Sequence, residues 1–149
     1  MKLVKYMFRL VYAVILIMRH VFLKGKNANL KKNNILSYGF NMMGDDSKND
    51  PGIHAEHDAI NKLKPIRKKK HLHNVNILVV RLSKYNKLQN SKPCINCILH
   101  MKNLPEKKGY KIRNIYYSNE KGEIVKSSLH QLERENYHYS KFYRQHKCI

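Results

Sequence analysis

Four side chains in two short motifs have the types and the spacing of a catalytic metal site. His54 and Glu56 are separated by one alanine. Cys94 and Cys97 form a Cys-x-x-Cys pair directly after Pro93, and 36 residues separate that proline from Glu56. Two cysteines three residues apart on a helix share one face, so both thiolates can bind one ion. With His54 as a third ligand, the fourth tetrahedral position stays open to water, which is the arrangement of catalytic zinc.

This arrangement predicts hydrolytic chemistry. Zinc lowers the pKa of a bound water to about 7, so a nucleophile exists at neutral pH. Glu56 is expected not to bind the metal but to carry a proton from the water to the substrate and then to the leaving group. We therefore expect one Zn²⁺ per chain and a catalytic Glu56. The predicted metal ligands are His54, Cys94 and Cys97.

Other interpretations of the cysteines stay open. A Cys-x-x-Cys pair alone is also typical of a structural zinc site or a redox pair, and His57 offers a second imidazole that would close a Cys2His2 site. The chain has three cysteines, too few for a disulfide framework, which favours a reducing compartment. We interpret Cys148 as an exposed thiol, and His57 and His100 as ordinary helix residues.

Strands and helices alternate along the chain, which predicts an α/β layer architecture. The expected strands have alternating or continuous apolar residues and cover 35–41, 75–82, 112–118 and 123–126. The expected helices cover 54–63, 94–104 and 129–143. Residues 44–52 have the composition of a loop, and 119–122 that of a turn. The two metal-site motifs thus fall at the starts of the first two helices.

The N-terminal segment contains an unbroken apolar run, residues 10–18. A membrane-spanning helix needs about 20 apolar residues, and no cleavage site of a signal peptide follows the run. We predict a helix over residues 4–23 that packs on the sheet, in a single domain of residues 1–149. The expected protein is cytoplasmic and makes no membrane contact.

The charge is strongly basic. Lys+Arg number 30 against 10 Asp+Glu, a formal net charge of +20. Such a surface attracts phosphate-bearing partners, from a nucleotide to a nucleic acid. A genome rich in A/T codons would supply much of the same lysine without selection for binding, because Lys outnumbers Arg 23 to 7. The hydrophobic fraction of 42% excludes a disordered polybasic tail.

Taken together, the His-x-Glu and Pro-Cys-x-x-Cys motifs resemble the signature of zinc-dependent nucleobase deaminases. The chain resembles the cytidine and deoxycytidylate deaminase superfamily over residues 27–132, with Ala59, Ile60 and Met101 where that family packs its helices on the sheet. The resemblance implies a three-layer α/β/α sandwich with a mixed five-stranded sheet. It also implies assembly into a homo-oligomer.

The same resemblance implies which residues contact the substrate. Asn41, at the end of the strand over 35–41, matches the substrate-contacting asparagine of the family. Ala55 and the backbone N–H of Cys94 are the other expected contacts. The family's first edge strand is apolar, whereas residues 27–32 here are polar, so we expect a short or irregular strand there.

The sequence determines the identity of the substrate less closely than the type of reaction. Histidine as the first ligand resembles the deoxycytidylate, guanine, riboflavin-precursor and tRNA-adenosine branches, whereas an antiparallel hairpin over 116–125 resembles the free-nucleoside branch. The leading hypothesis is deamination of a cytosine-type nucleoside or nucleotide. One alternative is a nucleic-acid base deaminase, favoured by the basic run 67–70 and the aromatic and basic tail 137–144, although that tail also fits a capping helix. The other alternative is a non-enzymatic zinc-binding protein that kept the fold.

Overall fold

The apolar segment His73–Leu82 forms the central strand of a mixed sheet. A computed structural model describes residues 14–18, 23–24, 27–28, 35–48, 50–67, 71–135 and 139–146. Its strands are β1 (Val14–Met18), β2 (Leu23–Lys24), β3 (Asn27–Ala28), β4 (Ile35–Phe40), β5 (His73–Leu82), β6 (Leu88–Gln89), β7 (Tyr110–Ser118) and β8 (Ile124–Ser127). Its helices are α1 (Ala55–Lys62), α2 (Ile95–Lys107), α3 (Leu129–Arg134) and α4 (Lys141–His146), with a 3₁₀ turn at Asp46–Lys48.

The strands follow one another across the sheet in the order β4-β1-β5-β7-β8, and β6 pairs with the end of β5. Strands β5 and β7 run parallel, and the other pairs are antiparallel. The predicted α/β class with a mixed sheet is confirmed. The predicted antiparallel hairpin is also confirmed: Ser118 of β7 lies opposite Ile124 of β8, and Gly122 in the turn has a φ of 77°.

The predicted helix over residues 4–23 is wrong where the structure describes that segment. Val14–Met18 form β1, which is hydrogen-bonded to β4 on one side and to β5 on the other, and Leu23–Lys24 form β2. A fully apolar run has no periodicity that separates a buried strand from a buried helix. Its β-branched residues favour the extended chain, and a position between two strands satisfies its backbone on both sides.

The region predicted as an irregular first edge strand is described only at Asn27–Ala28. These residues form β3, which pairs with β2 in a separate two-stranded sheet. The position beside β4 in the main sheet belongs to β1 instead.

The predicted single helix over 129–143 is also wrong. Helix α3 begins with a capping box between Ser128 and Gln131 and ends at Arg134, after which Glu135 is extended. Leu132 is almost fully buried, and the next four residues, 133–136, are polar, so the turn after Leu132 has no apolar residue to bury. A separate helix, α4, begins at Lys141.

One core holds the helices against the sheet. Helices α1 and α2 contact each other, and their buried side chains pack with those of β5 and β7. Ala59, Ile60 and Met101 all belong to this core, as expected from the sequence. Within the part of the chain that is described, no helix has the length and apolar character to cross a bilayer.

Candidate metal centre

The start of α1 is held beside the end of β4. The backbones of Met42 and Ile53 exchange two hydrogen bonds, of 2.8 and 3.0 Å, which close the loop between them. This bridge sets Asn41 next to His54. The side-chain oxygen of Asn41 then accepts a hydrogen bond from the backbone N–H of Ala55 at 2.8 Å, which satisfies one of the free N–H groups at the helix start.

Two further contacts hold α1 on β4. The carboxylate of Asp58 is buried, and its Oδ2 atom accepts a hydrogen bond from the backbone N–H of Phe40 at 3.0 Å. The same oxygen forms an ion pair with the Nζ of Lys62 at 2.6 Å. The backbone of Gly39 approaches the helix so closely that a Cβ there would overlap the carbonyl oxygen of Ala55 and the backbone nitrogen of Ala59. Strand and helix therefore meet backbone to backbone.

The start of α2 is held differently, by a buried serine pair. Ser91 donates from Oγ to the carbonyl oxygen of Val79 at 2.8 Å and accepts the N–H of Ser118 at 2.8 Å. Its own N–H donates to the carbonyl oxygen of Ser118 at 2.8 Å. Through these bonds of Ser91, the segment that leads to Cys94 is attached to both parallel strands, β5 and β7. Pro93, in the same segment, is fully buried.

The two helix starts bring the three predicted ligands together. The Nδ1 atom of His54 lies 3.1 Å from the Cys97 sulfur and 3.5 Å from the Cys94 sulfur, and the two sulfurs are 3.5 Å apart. His54 is half-buried, and both cysteines are buried. This His/Cys/Cys group could hold a metal ion.

Hydrogen bonding makes the two thiols unequal. Contact with the Cys97 thiol, helped by the His54 ring, lowers the pKa of Cys94 to about 4. The same contact, together with burial, raises the pKa of Cys97 above its ordinary value. The pair therefore shares one proton near neutral pH. A metal ion binds such a site by replacing that proton, so its affinity would rise with pH.

Glu56 lies against this group. Glu56 is only 6% exposed, yet it lines the adjoining cavity. Its carboxyl group contacts the Cys97 thiol. Burial raises the pKa of Glu56. The carboxyl is thus positioned both to hold and to release a proton in the cavity.

His57 does not join the cluster as a fourth ligand. Its ring stacks on that of His100, with centroids 3.9 Å apart, and its centroid is 6.1 Å from that of His54. The Nε2 atoms of His57 and His100 are buried and have no hydrogen-bond partner among the described residues. Burial lowers the pKa of His57, and it lowers the pKa of His100 to about 4. The closed Cys2His2 site is therefore not formed.

A cavity of about 330 Å³ opens over the cluster. It is lined by Asn41, His54, Glu56, Val79, Arg81, Asn90, Ser91, Lys92, Cys94, Tyr139, Ser140 and Arg144. The volume is in the range of small-molecule sites. Among the described residues, the loop segments 44–48 and 50–52 contribute nothing to the lining, whereas the C-terminal segment contributes Tyr139, Ser140 and Arg144.

The predicted substrate contacts are placed unequally. Asn41 and Cys94 line the cavity. Ala55 is fully buried, does not line the cavity, and already donates its N–H to Asn41. A substrate contact at Ala55 would have to share that N–H with Asn41.

The tail and the basic run are only partly described. Tyr139 is 38% exposed and lines the cavity, and Tyr143 is half-buried. Arg67 is exposed. Residues 68–70, 136–138 and Cys148 lie outside the described residues, and so does the side chain of Phe142.

Two cavity-lining residues, Arg81 and Lys92, carry no sequence signal, because they come from separate segments with no shared motif. The third basic lining residue, Arg144, belongs to the aromatic and basic tail 137–144 that the sequence had singled out. Asp58 and Gly39 position α1. Gly39 could have been found from the sequence, because a glycine within a strand often marks a close backbone approach. Asp58 could have been noticed as a second carboxylate two residues after Glu56.

Comparison with known proteins finds no match to this chain. No protein-family model matches the chain, and no curated protein or solved structure is significantly similar to it.

Proposed function

We propose that the protein is a zinc-dependent hydrolytic deaminase of a cytosine-type nucleoside or nucleotide. The observation that carries this proposal is the His54, Cys94 and Cys97 cluster, with buried Glu56 beside it at the wall of a nucleoside-sized cavity. A three-ligand group that faces a cavity favours catalysis over a structural role.

The donor chemistry of the cluster suits zinc. Two thiolates and one imidazole are donors that zinc prefers, and their ligand atoms all lie within 4.8 Å of one another. His54, Cys94 and Cys97 would hold the ion. Zinc, when bound, supplies the acidity that makes water nucleophilic near neutral pH.

Glu56 would move the protons of the reaction. Water adds its oxygen to C4 of cytosine, and Glu56 transfers one proton from that water to the ring nitrogen N3. The bond between C4 and the exocyclic nitrogen then breaks, and Glu56 passes the second proton to the leaving group. The products are a uracil ring and ammonia, so atoms and charges balance. Burial of Glu56 keeps bulk water from competing for these protons.

Asn41 and Cys94 would orient the substrate. Because the Asn41 oxygen is used by Ala55, its amide group is the part that can donate to a sugar or base oxygen. The backbone N–H of Cys94 would stabilise the charge that develops on the attacking oxygen.

A cytosine substrate is favoured by the antiparallel β7–β8 hairpin, which resembles that of the free-nucleoside branch of the deaminase superfamily. Within that resemblance we propose the three-layer α/β/α sandwich with five strands as the family core. Homo-oligomeric assembly and a cytoplasmic location belong to the same proposal.

The test measures bound zinc and ammonia release on one set of proteins. The parent chain should bind one zinc and release ammonia from at least one cytosine nucleoside or nucleotide. Glu56→Gln keeps the ligands and should bind zinc normally while its kcat falls by about 10²- to 10⁴-fold, since a general acid/base contributes that much. Cys97→Ser, which removes a ligand, should lose both zinc and activity.

Two outcomes would contradict the proposal. A zinc-loaded parent that releases no ammonia from any cytosine nucleoside or phosphate would indicate a non-enzymatic zinc-binding protein. A Glu56→Gln variant as active as its parent would remove the assigned acid/base role.

A further inference from the structure

Three basic side chains line the cavity that the proposed reaction uses. Arg81, Lys92 and Arg144 all contribute to its wall, and Glu56 is the only acidic residue among the lining residues that the structure describes. Deamination of a cytosine ring needs no such charge, because the base carries none near neutral pH. The excess of positive charge points to an anionic group on the substrate.

The two arginines are free to bind that group. Lys92 forms an ion pair with Glu135, so its charge is largely balanced. Arg81 and Arg144 have no carboxylate partner within the described part of the chain. Arg81 lies two residues beyond Val79 on β5, about 6–7 Å further along the strand. Both Val79 and Arg81 line the cavity.

A buried hydroxyl group completes the set. Ser140 lines the cavity, and its Oγ is buried without a hydrogen-bond partner among the described residues. A hydroxyl at the cavity wall that is not used by another described residue can donate its proton to a ligand oxygen. The N–H of Arg144 donates to the carbonyl oxygen of Ser140 at 3.1 Å, which keeps the two residues on one turn.

We infer that the substrate is a cytosine nucleoside monophosphate, with its phosphate bound by Arg81, Arg144 and the hydroxyl of Ser140. This inference rests on the proposed function. Arginine suits the role because its planar guanidinium donates two parallel hydrogen bonds to phosphate oxygens. Tyr139 lines the same cavity of about 330 Å³ together with Ser140 and Arg144. Such a space favours a single nucleotide over a continuous strand.

Direct binding tests the inference apart from turnover. Zinc-loaded Glu56→Gln is titrated calorimetrically with deoxycytidine, with its 5′-monophosphate and with a twelve-residue oligodeoxycytidylate. The monophosphate should bind at least 30-fold more tightly than the nucleoside. Arg81→Ala or Arg144→Ala, added to Glu56→Gln, should each weaken monophosphate binding about tenfold, which is the effect of losing one charged hydrogen bond. Neither should change the affinity for the nucleoside.

A matched arginine controls for general charge. Arg113 is exposed on β7 and does not line the cavity, so Arg113→Ala should leave both affinities unchanged. Arg81→Lys and Arg144→Lys should keep part of the extra affinity for the monophosphate, because lysine retains the positive charge but not the two parallel donors of arginine. Thermal unfolding of each variant separates lost binding from lost folding.

The outcomes distinguish the two proposals. A parent enzyme that deaminates deoxycytidine and its monophosphate equally, with equal affinities, would overturn the phosphate site alone. Tighter binding of the oligonucleotide than of the monophosphate, lost on Arg81→Ala, would overturn it in favour of a polynucleotide substrate. A zinc-loaded protein that neither binds nor deaminates any of the three would overturn the proposed function and this inference together.

Discussion

Helices α1 and α2 bring their first residues to the same cavity, but they are anchored by different means. Helix α1 is fixed by its immediate neighbour β4, through the close approach at Gly39 and the side chains of Asn41 and Asp58. Helix α2 is fixed through Ser91, which bonds to β5 and β7 at the centre of the sheet.

The difference matches what each helix start contributes. The α1 start carries one ligand and the proposed acid/base Glu56, whereas the α2 start carries both thiols. A displacement of the α1 start should therefore move both Glu56 and the ligand His54, and so lower activity and metal affinity together. A displacement of the α2 start should lower mainly the metal affinity. The following substitutions separate these effects.

Gly39→Ala should have the largest effect. The new Cβ would overlap backbone atoms of α1, which cannot move aside without displacing the helix. We expect a loss of about 3 kcal/mol in the free energy of unfolding, as for severe overpacking, and a weakened metal site. Urea unfolding and zinc titration measure the two losses.

Gly122→Ala is the matched control for this change. Gly122 also has special geometry, a φ of 77°, but it lies in the β7–β8 turn and an added Cβ would be 3.4 Å from its nearest neighbour. It should cost about 1 kcal/mol through backbone strain and leave zinc affinity unchanged. Equal zinc affinity in both glycine variants would mean that the approach of α1 to β4 does not position the site.

Substitution of Asn41 separates positioning from substrate binding. Asn41→Ala removes the acceptor for the Ala55 N–H and should cost about 1 kcal/mol of stability, together with activity. Asn41→Asp keeps an acceptor at the helix start, where negative charge is favourable, but loses the amide donor. The aspartate variant should be as stable as the parent while its KM rises about tenfold. A normal KM for Asn41→Asp would show that the amide does not touch the substrate.

Ser91→Ala tests the anchor of α2. It removes the donor to Val79 and the acceptor for Ser118 in a buried setting, so we expect a loss of about 1–2 kcal/mol in unfolding free energy. Zinc affinity should fall while the kcat of fully zinc-loaded protein stays near that of the parent. Ser83→Ala, in the turn before β6, is the control and should change neither quantity appreciably. A large fall in kcat at full zinc loading would contradict the division of roles between the two helix starts.

At neutral pH the smallest effect is expected where the two helices touch, at the stacked rings of His57 and His100. Burial, aided by His57 and Lys108, lowers the pKa of His100 to about 4 from an ordinary value of 6.5. Between about pH 6.5 and 4, His100 therefore binds a proton more readily in the unfolded chain than in the folded one, so its contribution lowers stability as the pH drops through this interval.

The matched variant is His100→Phe, which keeps a flat ring and removes the titration. Its unfolding free energy should depend less steeply on pH over the same interval, as measured by urea unfolding at several pH values. An identical slope in the two proteins would show that His100 does not contribute to the acid sensitivity.

The sequence was sufficient for the local parts of the site. The three-residue spacing predicted that Cys94 and Cys97 lie together, and they do so at the N-cap and in the first turn of α2. The apolar pattern of 75–82 predicted the strand that became β5. It misjudged residues 14–18, because an unbroken apolar run satisfies a buried helix and a buried strand equally well. It also predicted that α3 continues past Arg134, although residues 133–136 are polar and give the next turn nothing to bury.

What the sequence determined by itself was the chemistry of the donors: an imidazole, two thiols and a carboxylate at spacings that local helix geometry can bring to one ion. The tertiary structure alone decided that His57 turns to His100, that Asn41 uses its oxygen on Ala55, and that two arginines 63 positions apart line one cavity. These facts depend on pairing between distant segments. No local pattern encodes that pairing, because it follows from which strands neighbour each other in the sheet.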